Sequence, residues 1–173
     1  MPNLALGRLF DLIMGVAPLD LQTARTGDYI SLKNCEGVGV LIIKGAGTDG
    51  DDQTFTLQQA SAVAGTGAKD AAIITEYWEK EEAAANLQAT GAWTRVTQTA
   101  AATIAPGDPS AQSSAMYYFE VHADQLDVDN GFDCIRVDND GAGSNAQLGT
   151  ILYIPFGLRY QATPANLPNM IAD

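Results

Sequence analysis

The stretch AMYYFEVH, Ala115–His122, gives the strongest β-strand signal in the chain. Aromatic and β-branched residues are enriched in strands, because their side chains pack well on a pleated surface. A second strand segment, FDCIRVD at residues 132–138, follows after a turn. These two segments indicate a protein built from β-strands.

Six further segments have the character of strands. DYISLKN and QTFTLQQ alternate between apolar and polar residues, whereas GVGVLIIK is a continuous apolar run and is typical of a fully buried strand. Gly, Asp, Asn and Pro separate the segments at short intervals. Eight strands in one domain predict an all-β, single-domain β-sandwich, most simply an eight-stranded jelly roll. The six segments are residues 28–34, 37–44, 53–59, 72–80, 92–99 and 148–155.

Three regions are predicted along the chain: an N-terminal arm at residues 1–20, the β-sandwich domain at 21–160 and a C-terminal tail at 161–173. The arm has apolar residues without a periodic pattern, and Asp11 interrupts them, so we expect part of the mature protein rather than a signal peptide. Deleting it should leave the sandwich folded and weaken assembly. The segment EEAAANLQATG, residues 81–91, fits either a helical turn or two or a long loop. The apolar residues of the arm are Leu4, Leu6, Leu9, Phe10, Leu12 and Ile13.

The charge composition bears on the partners of the protein. The chain of 173 residues has 21 acidic and 9 basic residues, a net charge of −12. Binding to DNA or RNA requires several phosphates to be neutralised together, and no two of the bases are adjacent, so we expect no contact with nucleic acid. No run approaches the roughly 18 apolar residues of a membrane-spanning helix, so we expect no membrane span.

The two cysteines, Cys35 and Cys134, belong to no CxxC or Cys/His cluster that would indicate zinc. We expect free thiols on strands, acting as small buried hydrophobes, as suits a reducing cytoplasm. A disulfide between the two cysteines remains an alternative, and it requires their Cα atoms to lie within about 7 Å of each other.

The segment LDVDNGFDCIRVDNDG, Leu126–Gly141, contains five aspartates and is the first candidate for a metal site. An EF-hand loop beginning at Asp127 would have Gly131 and Phe132 at its fifth and sixth positions, and Asp138 in place of the final glutamate. The template therefore fails, whereas DNG and DNDG are turn signals. We expect these aspartates to shape turns and strand ends and to discourage edge-to-edge pairing.

An irregular calcium site, in that segment or at Asp49, Asp51 and Asp52, remains an alternative interpretation of these aspartates. The glycine-rich stretches GAGTDG and GAGSNAQ lack the lysine of a phosphate-binding loop, and we assign them to turns. The sequence thus predicts neither a cofactor nor a bound metal.

The sequence contains few residues that could form a recognised catalytic site. His122 is the one histidine of the chain, too few for a metal site built from several imidazoles, and no GxSxG motif accompanies it. We expect it to be structural. A pair of carboxylates that cleaves glycosides remains an alternative, because any acidic chain offers such pairs. Aromatic sugar subsites could use Trp78, Trp93, Tyr117 or Tyr118, although core or interface roles are expected for each.

The second half of the chain resembles a known group of proteins. The distinctive segment is FEVHADQLDVDNGFDCIRVDNDGAGSNAQLGTILYI, residues 119–154, followed by RY and the tail ATPANLPNMIAD. The similarity extends upstream through QTFTLQQASAVAGTGAKD, YWEK and GAWTRVTQTA, so it covers the chain from about Gly27 onward. These segments resemble small capsid decoration, or cement, proteins of tailed bacteriophages. The N-terminal arm departs from the resemblance.

The resemblance implies a non-enzymatic virion protein with a β-sandwich core. It would sit on the outside of the capsid, bridge neighbouring major capsid subunits and associate with itself, as a trimer at local three-fold positions. Assembly would take place in the cytoplasm of the bacterial host. The alternatives are another virion component, such as a tail or fibre-base protein, and a carbohydrate-binding jelly-roll module.

Overall fold

The computed structural model describes residues 11–81, 91–106, 113–141 and 143–158, and its fold is all-β. The strands form two antiparallel sheets, an arrangement consistent with a β-sandwich. Single 3-10 turns at Ala123–Gln125 and Val128–Asn130 connect two of the strands. The strands are β1 (Ile13–Asp20), β2 (Ile30–Ser31), β3 (Gly37–Lys44), β4 (Phe55–Ala60), β5 (Lys69–Asp70), β6 (Ile74–Glu81), β7 (Thr94–Ala101), β8 (Thr103–Ile104), β9 (Ala115–His122), β10 (Cys134–Asn139) and β11 (Leu148–Phe156).

One sheet has six strands and the other has five. The strand order of the six-stranded sheet is β1-β11-β3-β9-β6-β7. The five-stranded sheet has the order β2-β10-β4-β5, with β8 paired to β4. The chain leaves the six-stranded sheet to form β2, then β4 and β5, then β8 and finally β10, and it returns each time, so the two sheets are connected repeatedly along the sequence.

The centre of the six-stranded sheet is the antiparallel pair of β3 and β9, and both were predicted with these bounds. Every residue of β3 has a partner in β9, from Gly37 opposite His122 to Lys44 opposite Ala115. Alternate residues of a strand point to opposite faces. Tyr117 of β9 therefore points into the core, where its ring lies 6.2 Å from the ring of Phe55 on the other sheet.

The prediction of a fully buried strand at GVGVLIIK holds for one face of β3. Val38, Val40 and Ile42 are completely buried between the sheets. Leu41 and Ile43 point to the opposite face and are only partly buried. The continuous apolar run therefore reflects two apolar faces, of which one is the core.

The number of strands differs from the eight predicted. Eleven strands occur in the described residues, and three of them have only two residues each: β2, β5 and β8. The predicted strand at 28–34 is paired with β10 only at Ile30 and Ser31. Such short strands depend on their partner for their conformation, so no periodic pattern of their own announces them.

The boundary of the predicted arm also differs. Residues 13–20 form β1, an edge strand paired with β11, and Val16 is buried in the core. Two register shifts interrupt this pairing. Bulges and edges are where a sheet tolerates proline, and β1 contains Pro18. The sandwich thus includes residues that the sequence assigns to the arm, while residues 1–10 and the predicted tail at 161–173 lie outside the described residues.

Candidate interaction surface

The outer face of the six-stranded sheet, which points away from the five-stranded sheet, has a continuous row of side chains across all six strands. The row begins with apolar side chains at the β1 edge, passes through two aromatic rings and ends with a charge at the β7 edge. Met14 at its beginning is 55% exposed. In strand order, the row consists of Met14, Leu152, Leu41, Tyr118, Trp78 and Arg95.

The half of this face formed by β1, β11 and β3 is apolar. Its main apolar side chains are Met14, Leu41, Ile43, Leu152 and Ile154, and we call these five residues the apolar half. All five are partly or largely exposed. Contiguous exposed apolar surface on a folded protein commonly marks a binding surface, whereas single exposed apolar residues are ordinary. The apolar half is therefore a candidate for contact with another protein surface.

The outer face of the five-stranded sheet has the opposite character. Arg136 of β10 donates a hydrogen bond to Gln58 Oε1 at 2.8 Å and pairs with Asp138 at 3.1 Å. The side-chain nitrogen of Gln58 donates to Asp70 at 3.1 Å, and the guanidinium of Arg136 lies 4.7 Å from the centre of the Tyr29 ring. This face is polar and hydrogen-bonded, as expected of a sheet that meets water. The contrast singles out the six-stranded sheet as the one whose outer face has an exposed apolar area.

Two glycines of β3 shape the aromatic part of the outer face. A Cβ added at Gly39 would lie 2.6 Å from the hydroxyl oxygen of Tyr118, and one at Gly37 would lie 2.6 Å from Cζ of Phe156. The rings of Tyr118 and Phe156 therefore lie across the β3 backbone in space that a side chain would fill. Glycine in a strand interior often marks such a close approach.

A shallow groove of about 280 Å³ lies beside these rings, on the β9 and β6 side of the sheet. We call it the aromatic groove. Trp78, 39% exposed, forms one wall. Its principal lining side chains are Glu76, Trp78, Tyr118, Glu120, His122 and Gln125.

Hydrogen bonds and an ion pair fix the groove walls. The Tyr118 hydroxyl donates to Glu120 Oε1 at 2.8 Å, and burial, followed by this acceptor and its charge, raises the pKa of Tyr118. Arg95 Nε donates to Glu76 at 2.9 Å, so one carboxylate of the groove already has a cation. The ring of His122 meets Phe156 edge to face, with 5.2 Å between the ring centres. The polar groups of the groove are thus positioned by their neighbours.

The candidate aromatic and histidine residues are only partly brought together. Trp78, Tyr118 and His122 line the aromatic groove. Tyr117 points to the other face of β9 and is completely buried in the core. Trp93, 45% exposed, comes before β7 and is not among the residues that line the groove. The missing signal was register, because the pairing of Trp78 with Tyr118 cannot be read from either strand alone.

The first aspartates of Leu126–Gly141 stabilise the turn between β9 and β10. Asp127 accepts a hydrogen bond from Asn130 Nδ2 at 2.8 Å and forms an ion pair with Lys69. These two hydrogen bonds, with that of Lys69 the larger cause, lower the pKa of Asp127. The neighbouring Asp129 is exposed on a 3-10 turn. Asp127 therefore acts as a turn anchor in this fold.

The later aspartates of the segment bind neighbouring loops and one neighbouring strand. Asp133 pairs with Lys33 at 3.0 Å, and Asp138 accepts the backbone N–H of Gly27 at 2.8 Å. Asp140 accepts a threonine hydroxyl of β4 at 2.8 Å. Each carboxylate thus has a separate structural partner, and the three do not converge on one point through these contacts.

Asp51 anchors the loop that precedes β11. It accepts the side-chain N–H of Asn145 at 2.7 Å and the backbone N–H groups of Ser144 and Asn145 at 3.2 and 3.0 Å. These donors, led by the Asn145 side chain, lower the pKa of Asp51. Within the described ranges, no group of three or more His, Cys, Asp or Glu side chains is arranged to hold a metal ion.

Three other ionisable groups are buried or partly buried. Cys35 and Cys134 are both free thiols, and burial raises the pKa of Cys35 to about 11 and that of Cys134 to about 12. Lys44, at the end of β3, is 2% exposed and donates to the Ser113 carbonyl at 2.8 Å. Burial lowers its pKa to about 8, against the opposing effect of Glu81 and Asp52. Lys44 and Cys134 are thus held inside the fold, and Cys35 is partly exposed.

Among the described residues, no helix has the length and apolar character needed to cross a membrane. Comparison with known proteins finds no protein-family model and no curated protein that matches the chain.

Proposed function

We propose that the protein is a non-enzymatic structural component of a bacteriophage virion, a capsid decoration or cement protein. It binds the outer surface of the capsid, bridges major capsid subunits and associates with itself as a trimer. The observation that carries this proposal is the apolar half of the six-stranded sheet. Exposed apolar side chains of this kind are removed from water only when another surface covers them. The resemblance of residues 119–154 to such proteins supplies the identity of the partner.

The physics of a cement protein fits this surface. A stable protein interface buries on the order of 1,600 Å² in total. Shape and packing, rather than chemistry at a reacting centre, then determine how tightly the shell is held. Many identical copies engage one particle, so modest contacts add up through avidity.

The net charge also suits an exterior position. At −12, the chain repels the phosphates of packaged DNA and remains soluble before it meets the shell. The polar face of the five-stranded sheet then faces solvent once the apolar half is covered.

A jelly roll is the finer fold that belongs with this proposal. Its support is the nested pairing of strands, in which β3 pairs with β11, β4 with β10 and β6 with β9. Nested antiparallel pairs of this kind result when one long hairpin rolls up into two sheets. The two halves of the six-stranded sheet are joined by the pairing of β3 with β9, which departs from the usual jelly-roll order, in which β11 would lie beside β6.

The experiment replaces one exposed methionine with a charge and compares it with a matched substitution elsewhere. Met14 is 55% exposed on the apolar half, and Val128 is 52% exposed on a 3-10 turn. Covering the rest of Met14 contributes on the order of 1 kcal/mol, whereas covering an unpaired carboxylate costs several kcal/mol. Met14→Asp should therefore reduce binding to undecorated phage heads at least tenfold, and Val128→Asp should leave it unchanged.

Binding is measured by co-sedimentation with heads, and self-association by light scattering of the free protein. A reconstruction of the decorated particle then locates the density. Binding that Met14→Asp and Val128→Asp affect equally would contradict the role of the apolar half. Failure of the unmodified protein to bind heads at all would remove the cement proposal itself.

A further inference from the structure

We propose that the aromatic groove binds a neutral saccharide, a second activity that does not depend on attachment to a capsid. The groove lies between β9 and β6, toward the β7 edge, while the apolar half lies toward the β1 edge. A partner that covers β1, β11 and β3 leaves the Trp78 side of the groove facing solvent.

The first argument is the pair of aromatic walls. Trp78 and Tyr118 are opposite each other on neighbouring strands, and both point to the outer face. Gly39 lets the Tyr118 ring lie low across the sheet, so Trp78 rises beside it as the exposed wall. The C–H-rich face of a pyranose ring is apolar and stacks on such rings, which present a large surface at little entropic cost.

The second argument is the set of polar groups around the rings. Glu120 accepts from Tyr118 through Oε1, which leaves Oε2 as an acceptor for a hydroxyl. Gln125 Oε1 accepts the backbone N–H of His122 at 2.8 Å, which orients the side-chain amide so that its nitrogen remains a donor. A saccharide needs both donors and acceptors at the rim of an apolar surface, and small-molecule sites generally combine these features.

The third argument concerns charge. Two carboxylates, Glu76 and Glu120, disfavour an anionic ligand such as a phosphate or an acidic sugar. A cationic ligand meets competition, because Arg95 already pairs with Glu76 and stands opposite Trp78 in the neighbouring strand. A neutral polyhydroxylated ligand avoids both penalties.

The size of the groove sets the scale of binding. Its 280 Å³ is near the lower end of small-molecule sites, about 300 Å³. One or two sugar rings can be accommodated, so we expect a dissociation constant of about 1 mM for a disaccharide.

The test uses the two tryptophans of the chain as separate reporters. In a proton–nitrogen NMR spectrum each gives one indole N–H signal, which Trp78→Phe and Trp93→Phe assign. The probes are cellobiose, maltose and chitobiose as neutral sugars, glucuronate as an anion and arginine amide as a cation. We expect at least one neutral sugar to shift the Trp78 signal saturably while the Trp93 signal stays in place.

Ligand-observed saturation transfer then measures the variants. Trp78→Ala and Glu120→Gln should each weaken sugar binding at least fivefold, whereas Trp93→Ala should not. A well-dispersed amide spectrum shows that each variant is folded. Absence of a saturable shift with all three sugars overturns the proposal, as does a Trp78 response to arginine amide or glucuronate in their place.

Discussion

The Tyr153 hydroxyl accepts a hydrogen bond that connects the two sheets, and removing it should lower the free energy of unfolding by an amount that can be worked out from the structure. Tyr153 lies on β11 and is completely buried, and the backbone N–H of Val137 on β10 donates to its hydroxyl oxygen at 2.8 Å. On that side of β10, Ile135 pairs with Ile30 and Asn139 with Arg25. The N–H of Val137 lies between these two pairings and obtains its acceptor from the other sheet.

Tyr153→Phe keeps the ring and removes this acceptor. A buried N–H left without a partner costs about 1–3 kcal/mol. For a chain of this length each kcal/mol lowers the melting temperature by about 2–4 °C, so the expected decrease is roughly 2–12 °C. Calorimetry and urea unfolding, each at neutral pH, measure the change in the free energy of unfolding.

The control is Tyr77→Phe on β6. Tyr77 is also buried in the core, and the described residues give its hydroxyl no hydrogen bond that a backbone N–H depends on. It therefore reports the effect of removing the phenol oxygen from a core tyrosine without taking an acceptor from a backbone N–H. Equal destabilisation by the two substitutions would refute the view that the hydroxyl of Tyr153 holds the sheets together.

Three further predictions concern the interior charges and β1. Asp51→Asn should lower the free energy of unfolding at neutral pH and make that free energy decline less steeply in acid. Because the pKa of Asp51 is lowered in the folded protein, the stabilisation by this carboxylate is complete above the ordinary aspartate pKa of 3.8 and is lost as the pH falls through the folded pKa. Urea midpoints at a series of pH values check this. The pKa of Lys44 is about 8 in the folded protein and 10.5 in the unfolded chain, so the unfolded state binds more protons between these two pH values. The free energy of unfolding should therefore rise with pH between about 8 and 10.5. Parallel urea titrations of Lys44→Met should lack this rise. Deletion of residues 1–20 should destabilise the sandwich, in contrast to the expectation from the sequence, because β11 loses the partner strand that contributes Val16 to the core. A melting temperature equal to that of the full chain would contradict this.

The strands that could be predicted from the sequence are those with a complete periodic pattern. Gly37–Lys44 and Ala115–His122 are found with the predicted bounds, because long runs of apolar, β-branched and aromatic residues are interrupted at each end by turn residues. In the second run the alternation also places Tyr117 in the core and Tyr118 outside it.

The strands that could not be predicted depend on distant partners. In β1 the alternation is broken by Gly15 and Pro18, and the strand is identified only by its pairing with β11, more than a hundred residues away. The two-residue strands β2, β5 and β8 are likewise defined by neighbours that the local sequence does not specify. Local propensity and periodicity carry no information about such pairings.

The candidate site was hidden for a related reason. Trp78 and Tyr118 were each recognised as possible ligand-binding aromatics, but their juxtaposition is a property of strand register. The apolar half was hidden by the usual interpretation of an apolar run as a doubly buried strand. Leu41 shows the difference: in a two-sheet fold only one face of β3 has a sheet to pack against, so the apolar residues of its other face stay partly exposed.

The two proposed activities share one sheet, and their geometry decides whether they can coexist. The row from Met14 to Arg95 changes from apolar to aromatic to charged across six strands, so a capsid surface seated on the first three strands ends near Tyr118. Sugar binding should then be the same for free and capsid-bound protein. If the capsid instead extends over β6, Trp78 becomes part of the protein interface and sugar competes with heads for it. Competition between cellobiose, maltose or chitobiose and heads therefore reports how far across the sheet the capsid contact reaches.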